Sequence, residues 1–92
     1  MDTVDKGRAL AVLQICVNLT KEGKFTPILH KYLSYDAIRK AAQSKYGRNN
    51  IGDVRKALSI LVDDHFLTVQ KGYFNKEKLI FWSVPAHVMS IQ

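Results

Sequence analysis

Cysteine, histidine and proline are scarce in this chain of 92 residues, which has one Cys, three His and two Pro. Cys16 lies among apolar residues and has no second cysteine to pair with, so we expect a small buried hydrophobe. Its isolation excludes a disulfide framework and a cysteine-based zinc site. His30, His65 and His87 are scattered without carboxylate or cysteine partners at ligand spacing. We therefore predict that the protein holds no metal and no cofactor.

Motifs for catalysis are also missing from the sequence. It contains no glycine-rich phosphate loop, no Ser-His-Asp grouping and no paired carboxylates placed for acid–base chemistry. Asp63 and Asp64 are neighbours in sequence, so on a helix they would point in different directions. We predict that the protein is not an enzyme.

Long apolar runs are absent as well. None approaches the roughly 20 residues that a helix needs to cross a bilayer. Residues 1–6 lack the basic-then-apolar order of a signal peptide. The length suits one small domain with a single core, covering residues 1–92. We expect an intracellular protein that does not contact membranes.

The charge balance is the most informative feature of the composition. Fourteen Lys and Arg oppose eight Asp and Glu, which gives a net charge of +6 and an isoelectric point near 9.6. Such a balance favours a polyanionic partner or an acidic protein surface, although basic residues also serve solubility alone. Apolar residues make up 47% of the chain, which argues against disorder.

The first predicted element is a helix over residues 5–22, with Asp5 as its N-cap and Gly23 as its stop. Its apolar face is wider than the stripe of roughly 100° that is typical of a surface helix. Something besides the later helices should therefore cover it. The candidates are residues 84–89 folding back, or the same helix in a second copy, and we favour a homodimer through this helix.

The next segment, residues 24–33, is ambiguous. Thr26 and Pro27 would start a short helix, but residues 31–33 could instead form a short strand. A helix over residues 34–46 then follows, with Ser34 as its N-cap and Gly47 as its stop.

A further helix is predicted over residues 50–64, with Asn50 as its N-cap. It would bury Val54, Leu58 and Leu61 and expose the side that carries Lys56. The turn before it contains Arg48 and Asn49.

Strand-like patterns complete the chain. Residues 66–70 and 79–84 are rich in β-branched and aromatic side chains, and residues 71–78 between them contain Gly and Asn, which predicts a hairpin with a long loop. Pro85 closes the second strand.

The stretches 34–42, 54–61 and 64–69 resemble the winged helix-turn-helix superfamily in their rhythm of helix, turn, helix and short apolar strand. They are most similar to small winged-helix domains of archaeal and viral regulators and to those of replication-origin ATPases and MCM helicases. The resemblance implies an α+β fold, with a three-helix core and a C-terminal β-hairpin wing. It also implies binding to double-stranded DNA in transcription regulation or replication.

Positive charge is concentrated around the predicted turn and on the hairpin loop. In a winged helix, the helix after the turn enters the major groove and the wing contacts the backbone beside it. Asn50 suits a helix cap as well as a base contact, and the lysines of the loop also suit a solvated surface. The candidate DNA-binding residues are Arg39, Lys40, Arg48, Asn49, Asn50, Arg55, Lys56, Ser59, Lys71, Tyr73, Lys76 and Lys78.

Three residues on or beside the presumed reading face favour an alternative. Asp53 and Asp63 would repel phosphates unless Asp53 accepts a hydrogen bond from a cytosine amino group, and Ile60 suits a protein contact as well as a thymine methyl. The alternative function is a winged-helix module that binds a protein partner through the Ile60 face.

Overall fold

The structure, a computed structural model, describes residues 3–47 and 53–91, and the side chains of residues 6–47 and 53–90. The described residues form four helices and one three-stranded antiparallel sheet, so the predicted α+β class is confirmed. In chain order the elements are α1 (Thr3–Lys21), β1 (Leu33–Ser34), α2 (Tyr35–Tyr46), α3 (Val54–Asp63), β2 (Thr68–Phe74), β3 (Glu77–Ser83) and α4 (Ala86–Ile91).

Helix α1 starts earlier than the sequence predicted and ends where it predicted. It begins at Thr3, so the assignment of Asp5 as its N-cap is wrong. At the other end, Gly23 has a φ of 71°. The Gly23 N–H donates to the Thr20 carbonyl at 3.1 Å, and the Lys24 N–H donates to the Leu19 carbonyl at 3.0 Å. This pair of hydrogen bonds is a Schellman motif, which requires a left-handed residue at Gly23.

Helix α2 follows its predicted bounds because both of its caps are encoded locally. The Ser34 Oγ accepts a hydrogen bond from the Ala37 N–H at 3.2 Å, and Gly47 ends the helix with a φ of 82°. The ambiguous segment before it contains no helix, and of the predicted strand residues 31–33 only Leu33 pairs with β3, where Ser34 continues the strand. The strand interpretation of that segment was therefore the better one.

Helix α3 starts later than predicted. Asp53 is its N-cap, with Oδ1 accepting a hydrogen bond from the Lys56 N–H at 3.2 Å, and the helix begins at Val54. A helix that starts at Asn50 is therefore wrong, and Asn50 itself lies outside the described residues. Both Asn and Asp are strong N-cap residues, which is why the sequence did not distinguish these two starts.

The sheet differs from an isolated hairpin. Strand β3 lies in the middle, with β1 on one side and β2 on the other. Strands β2 and β3 pair from Thr68–Ser83 to Phe74–Glu77 around a two-residue turn. Asn75 and Lys76 in that turn have φ values of 51° and 68°, as a type I′ turn requires. The predicted loop over residues 71–78 is therefore wrong: it is mostly paired strand, and we call β2, the turn and β3 the ribbon.

One core joins the helices to the sheet. The wide face of α1 is buried within a single chain, and both Val84 and Val88 at the C-terminal end belong to the same cluster. The wide face of α1 therefore no longer requires a second copy to cover it, and the homodimer stays a prediction. Leu10 is the exception on α1, with half of its surface exposed. The buried apolar residues are Ala9, Val12, Leu13, Ile15, Cys16, Val17, Leu19, Leu33, Ile38, Ala42, Val54, Ala57, Leu58, Leu61, Leu67, Phe81, Trp82, Val84 and Val88.

Two further properties follow from burial and length. Burial raises the pKa of the Cys16 thiol to about 12, so the thiol stays protonated near neutral pH. Within the described ranges, no helix combines the length and apolar character that crossing a membrane requires.

Two glycines with open surroundings allow a matched test of helix α1. A methyl group on Gly7 or on Gly23 would meet no tertiary neighbour within 4 Å, but only Gly23 has a positive φ. We expect Gly7→Ala to raise the free energy of unfolding by about 0.5–1 kcal/mol, because alanine is the better helix former. Gly23→Ala should lower it by about 1 kcal/mol, because its conformation is left-handed.

Urea unfolding followed by circular dichroism measures both changes. Equal effects of the same sign in the two variants would contradict the assignment of Gly23 as the left-handed end of α1.

Candidate nucleic-acid interface

Two adjoining grooves lie between α3 and the ribbon, and we call them together the trough. One has a volume of about 360 Å³ and runs between the start of α2, Arg55 of α3 and the middle of β3. The other, of about 340 Å³, is bounded by α3 and by the inner parts of β2 and β3. Both grooves share Arg55, Ile80 and Trp82, so they form one continuous concave surface.

Among the described residues, three cations line the trough, and each comes from a different element. Arg55 lies on α3, Lys71 on β2 and Lys78 on β3. The fold thus brings together three of the residues that the sequence proposed for DNA binding. Ser59, a fourth predicted residue, lies one helical turn after Arg55 and also lines the trough.

The Arg55 guanidinium is held in place by an aromatic ring. Its Cζ lies 4.1 Å from the centroid of the Tyr35 ring, and the Tyr35 ring lies 6.4 Å from that of Trp82. Because Ser34 caps α2, Tyr35 is the first residue of that helix. A cation–π contact of this kind contributes about 0.5–2 kcal/mol, depending on solvation. The contact therefore favours one orientation of the Arg55 guanidinium in the trough.

The ribbon presents its two lysines on the face that forms the trough. Side chains alternate between the faces of a strand, so Val69, Lys71 and Tyr73 share one face of β2. Their cross-strand partners on β3 are Trp82, Ile80 and Lys78. This face is apolar at its base and becomes basic towards the turn.

The neighbouring aromatic residues Tyr73 and Phe74 lie on opposite faces of the ribbon. Tyr73 is 77% exposed on the trough face. Phe74 lies on the opposite face, where its ring makes an edge contact with Phe81 at 5.8 Å. Lys76 is exposed in the turn itself.

Arg39 and Lys40 are engaged elsewhere. Both pair with Asp36 on the surface of α2, with Arg39 Nη2 2.7 Å from Oδ1 and Lys40 Nζ 3.1 Å from Oδ2. The hydrogen bonds from Arg39 and then Lys40 hold the pKa of the Asp36 carboxyl below its ordinary value. Asp36 itself lines the trough, while neither of its partners does. Asp36 offsets one of their two positive charges, so the three side chains together keep one positive charge on the surface of α2.

Among the described residues, the remaining member of the predicted site is Lys56, and it does not line the trough. Lys56 is exposed on another side of α3, where it lines a separate groove of about 230 Å³ together with Arg8, Asp53 and Ile60. Ile60 is half-buried and packs against the core, which reduces the apolar surface that it offers to a partner. Arg48, Asn49 and Asn50 lie outside the described residues.

The two acidic residues of the predicted reading face have different roles. Asp53 caps α3, so its presence there has a structural reason. Asp63 lines the trough with Arg55 and Ser59, so a carboxylate does lie beside the cations.

Sequence reasoning missed Tyr35 and Trp82 as parts of the site. Tyr35 and Trp82 are both far from Arg55 in the sequence, and no local pattern indicates that the three side chains line one groove. Within residues 3–47 and 53–91, no group of three or more His, Cys, Asp or Glu is arranged to hold a metal ion.

Comparison with protein-family models, with curated proteins and with solved structures finds no match for this chain.

Two variants separate the capping hydrogen bond of Asp53 from its negative charge. Asn caps a helix about as well as Asp, so we expect Asp53→Asn to change the free energy of unfolding by only a few tenths of a kcal/mol. Asp53→Ala should lower it by about 1 kcal/mol, because the Lys56 N–H loses its partner. Thermal and urea unfolding of the two variants measure this difference. Equal losses in both would show that the charge of Asp53, rather than its cap, stabilises the helix.

The contact between Arg55 and Tyr35 is testable by a double-mutant cycle. Arg55→Met keeps most of the aliphatic stem and removes the charge, while Tyr35→Leu removes the ring. We expect the single changes and the double change to give a coupling free energy of about 0.5–1 kcal/mol in urea unfolding, because the pair is partly exposed. A coupling free energy indistinguishable from zero would contradict the contact.

Proposed function

We propose that this chain is a winged helix-turn-helix domain that binds double-stranded DNA through α3 and the ribbon, in transcription regulation or replication. The order of its elements supports the proposal: a helix, a short strand and two helices are followed by two strands. In the proposed arrangement α2 and α3 form the helix-turn-helix and the ribbon forms the wing.

The observation that carries the proposal is the convergence of Arg55, Lys71 and Lys78 on the trough. Phosphate groups along a nucleic-acid backbone bind to cations that line a continuous surface, and each neutralised phosphate releases counterions. Helix α3 brings Ser59 towards the base edges, while the lysines of the ribbon contact the backbone beside it.

Asp63 sets a limit on which contacts α3 makes. A carboxylate repels phosphates, but it accepts a hydrogen bond from the amino group of cytosine in the major groove. In the proposed complex Asp63 therefore faces bases, and the cations of the ribbon face the backbone.

A salt titration of binding tests this function. With three phosphates bound by the trough, the logarithm of the association constant for a random duplex should fall with the logarithm of salt concentration with a slope of about −3. Lys71→Gln and Lys78→Gln should each weaken binding and bring the slope about one unit closer to zero. Fluorescence anisotropy with a labelled duplex of about 20 base pairs gives both quantities.

Lys21→Gln is the matched control, since Lys21 ends α1 and lines neither groove of the trough. It loses the same charge, so its effect should be smaller than that of either ribbon variant. Equal effects of all three variants would indicate attraction by net charge alone. Absence of binding by the folded protein at low salt would refute the function.

The alternative function is recognition of a protein partner. The surface that favours it is not the predicted Ile60 face but a groove elsewhere. A groove of about 210 Å³ between α1 and α2 is lined mainly by apolar side chains, among them Ala11, Ile15 and Tyr46. A folded protein that binds no nucleic acid at low salt would make this groove the stronger candidate site.

A further inference from the structure

Tyr73 is the most exposed large hydrophobic residue among those that the structure describes, at 77%. Its position is more informative than its exposure. It lies on β2 directly opposite Lys78 of β3, and it shares a strand face with Lys71 two residues earlier. An aromatic ring is therefore flanked by two cations on the same face of the ribbon.

That face continues the trough outwards. Lys71 and Ile80 line the trough, and Tyr73 lies two residues farther along β2, about 7 Å beyond Lys71 at about 3.4 Å per residue. Successive bases of one strand in a duplex are also about 3.4 Å apart along the helix axis, so the distance from Lys71 to Tyr73 corresponds to about two nucleotides. A strand whose phosphates lie along Lys71 and Lys78 thus has a base within reach of the Tyr73 ring.

The ribbon holds Tyr73 in this position from its other side. Phe74 makes its edge contact with Phe81 on the opposite face. The Phe74 ring also lies over Gly72, where a Cβ would be 3.2 Å from the ring. The tight turn at Asn75 and Lys76 keeps the two strands in register beyond Tyr73. The Tyr73 side chain is left on the trough face with no aromatic partner among the described residues.

We propose that Tyr73 is a stacking site for an unpaired base, so that the protein prefers duplexes with a single-stranded end or gap over continuous duplexes. The inference rests on the proposed function, because Lys71 and Lys78 must hold the backbone beside the ring. Inside a continuous duplex each base is stacked on both sides, whereas an unpaired base offers a free face to an aromatic side chain.

The test compares four DNA probes of random sequence, first at one salt concentration and then across a salt titration: a blunt duplex, the same duplex with an overhang of four thymidines, the same duplex with a central gap, and a single strand. We expect the wild-type protein to bind the overhang and gapped duplexes about 5- to 100-fold more tightly than the blunt one, as expected for stacking of one base. Tyr73→Ala should remove this preference, so that its affinities for the blunt, gapped and overhang duplexes become equal.

Two variants serve as controls. Tyr73→Phe keeps the ring and should keep the preference. Tyr46→Ala removes a tyrosine of α2 that is 37% exposed and lines another groove, so the preference should also remain. Because Tyr73 carries no charge, the salt dependence of Tyr73→Ala should match that of the wild type, unlike that of Lys78→Gln.

The outcomes separate this inference from the function on which it rests. Equal binding of blunt, gapped and overhang duplexes would overturn the stacking site and leave the proposed function standing. A loss in Tyr73→Ala that is equal for all probes would also overturn it, because the ring would then contact the backbone. Failure to bind any probe at low salt would refute both.

Discussion

Trp82 lies in the middle strand of the sheet, opposite Leu33 of β1 and Val69 of β2. Its side chain is only 7% exposed, belongs to the core and packs near the ring of Tyr35 at the start of α2. The same indole lines both grooves of the trough. This one side chain therefore joins the three strands to the helices and supports the surface on which the cations lie. Burial of its large ring also stabilises the folded protein, since an aromatic side chain buries roughly 150–250 Å².

Contacts around Trp82 explain how a chain of ordinary composition places three cations along one groove. Tyr35 rests near the indole, and Arg55 lies over Tyr35. Two lysines come from the ribbon whose base is anchored by Trp82 and Val69. Among the described residues, most other positive charges lie on exposed helix and turn positions, and Asp36 offsets one of the two charges of Arg39 and Lys40. A positive net charge attracts polyanions to the molecule as a whole, and in the proposed function the trough is where they bind.

Local signals in the sequence predicted the parts of the fold that local interactions determine. Ser34 and Gly47 set the ends of α2, and Gly23 sets the end of α1, because each satisfies backbone groups within its own turn. Competing local signals misplaced the start of α3, where Asn50 and Asp53 both suit a cap. The strands of the ribbon were predicted too short because lysines, Gly72 and Asn75 are typical of loops. Helix α4 was not predicted, since six residues are too few for a clear period.

The candidate site was less predictable than the fold, for a physical reason. The sequence identified its cations as a cluster, but could not separate those that converge from those that pair with Asp36, since convergence depends on tertiary contacts. Amide chemical-shift mapping measures directly whether the trough binds nucleic acid, as we propose. The labelled protein is titrated at low salt with a duplex that carries an overhang. We expect the largest shifts to cluster at Arg55, Ser59, Lys71, Tyr73 and Lys78. Shifts confined to the groove between α1 and α2, or no shifts at all, would contradict it.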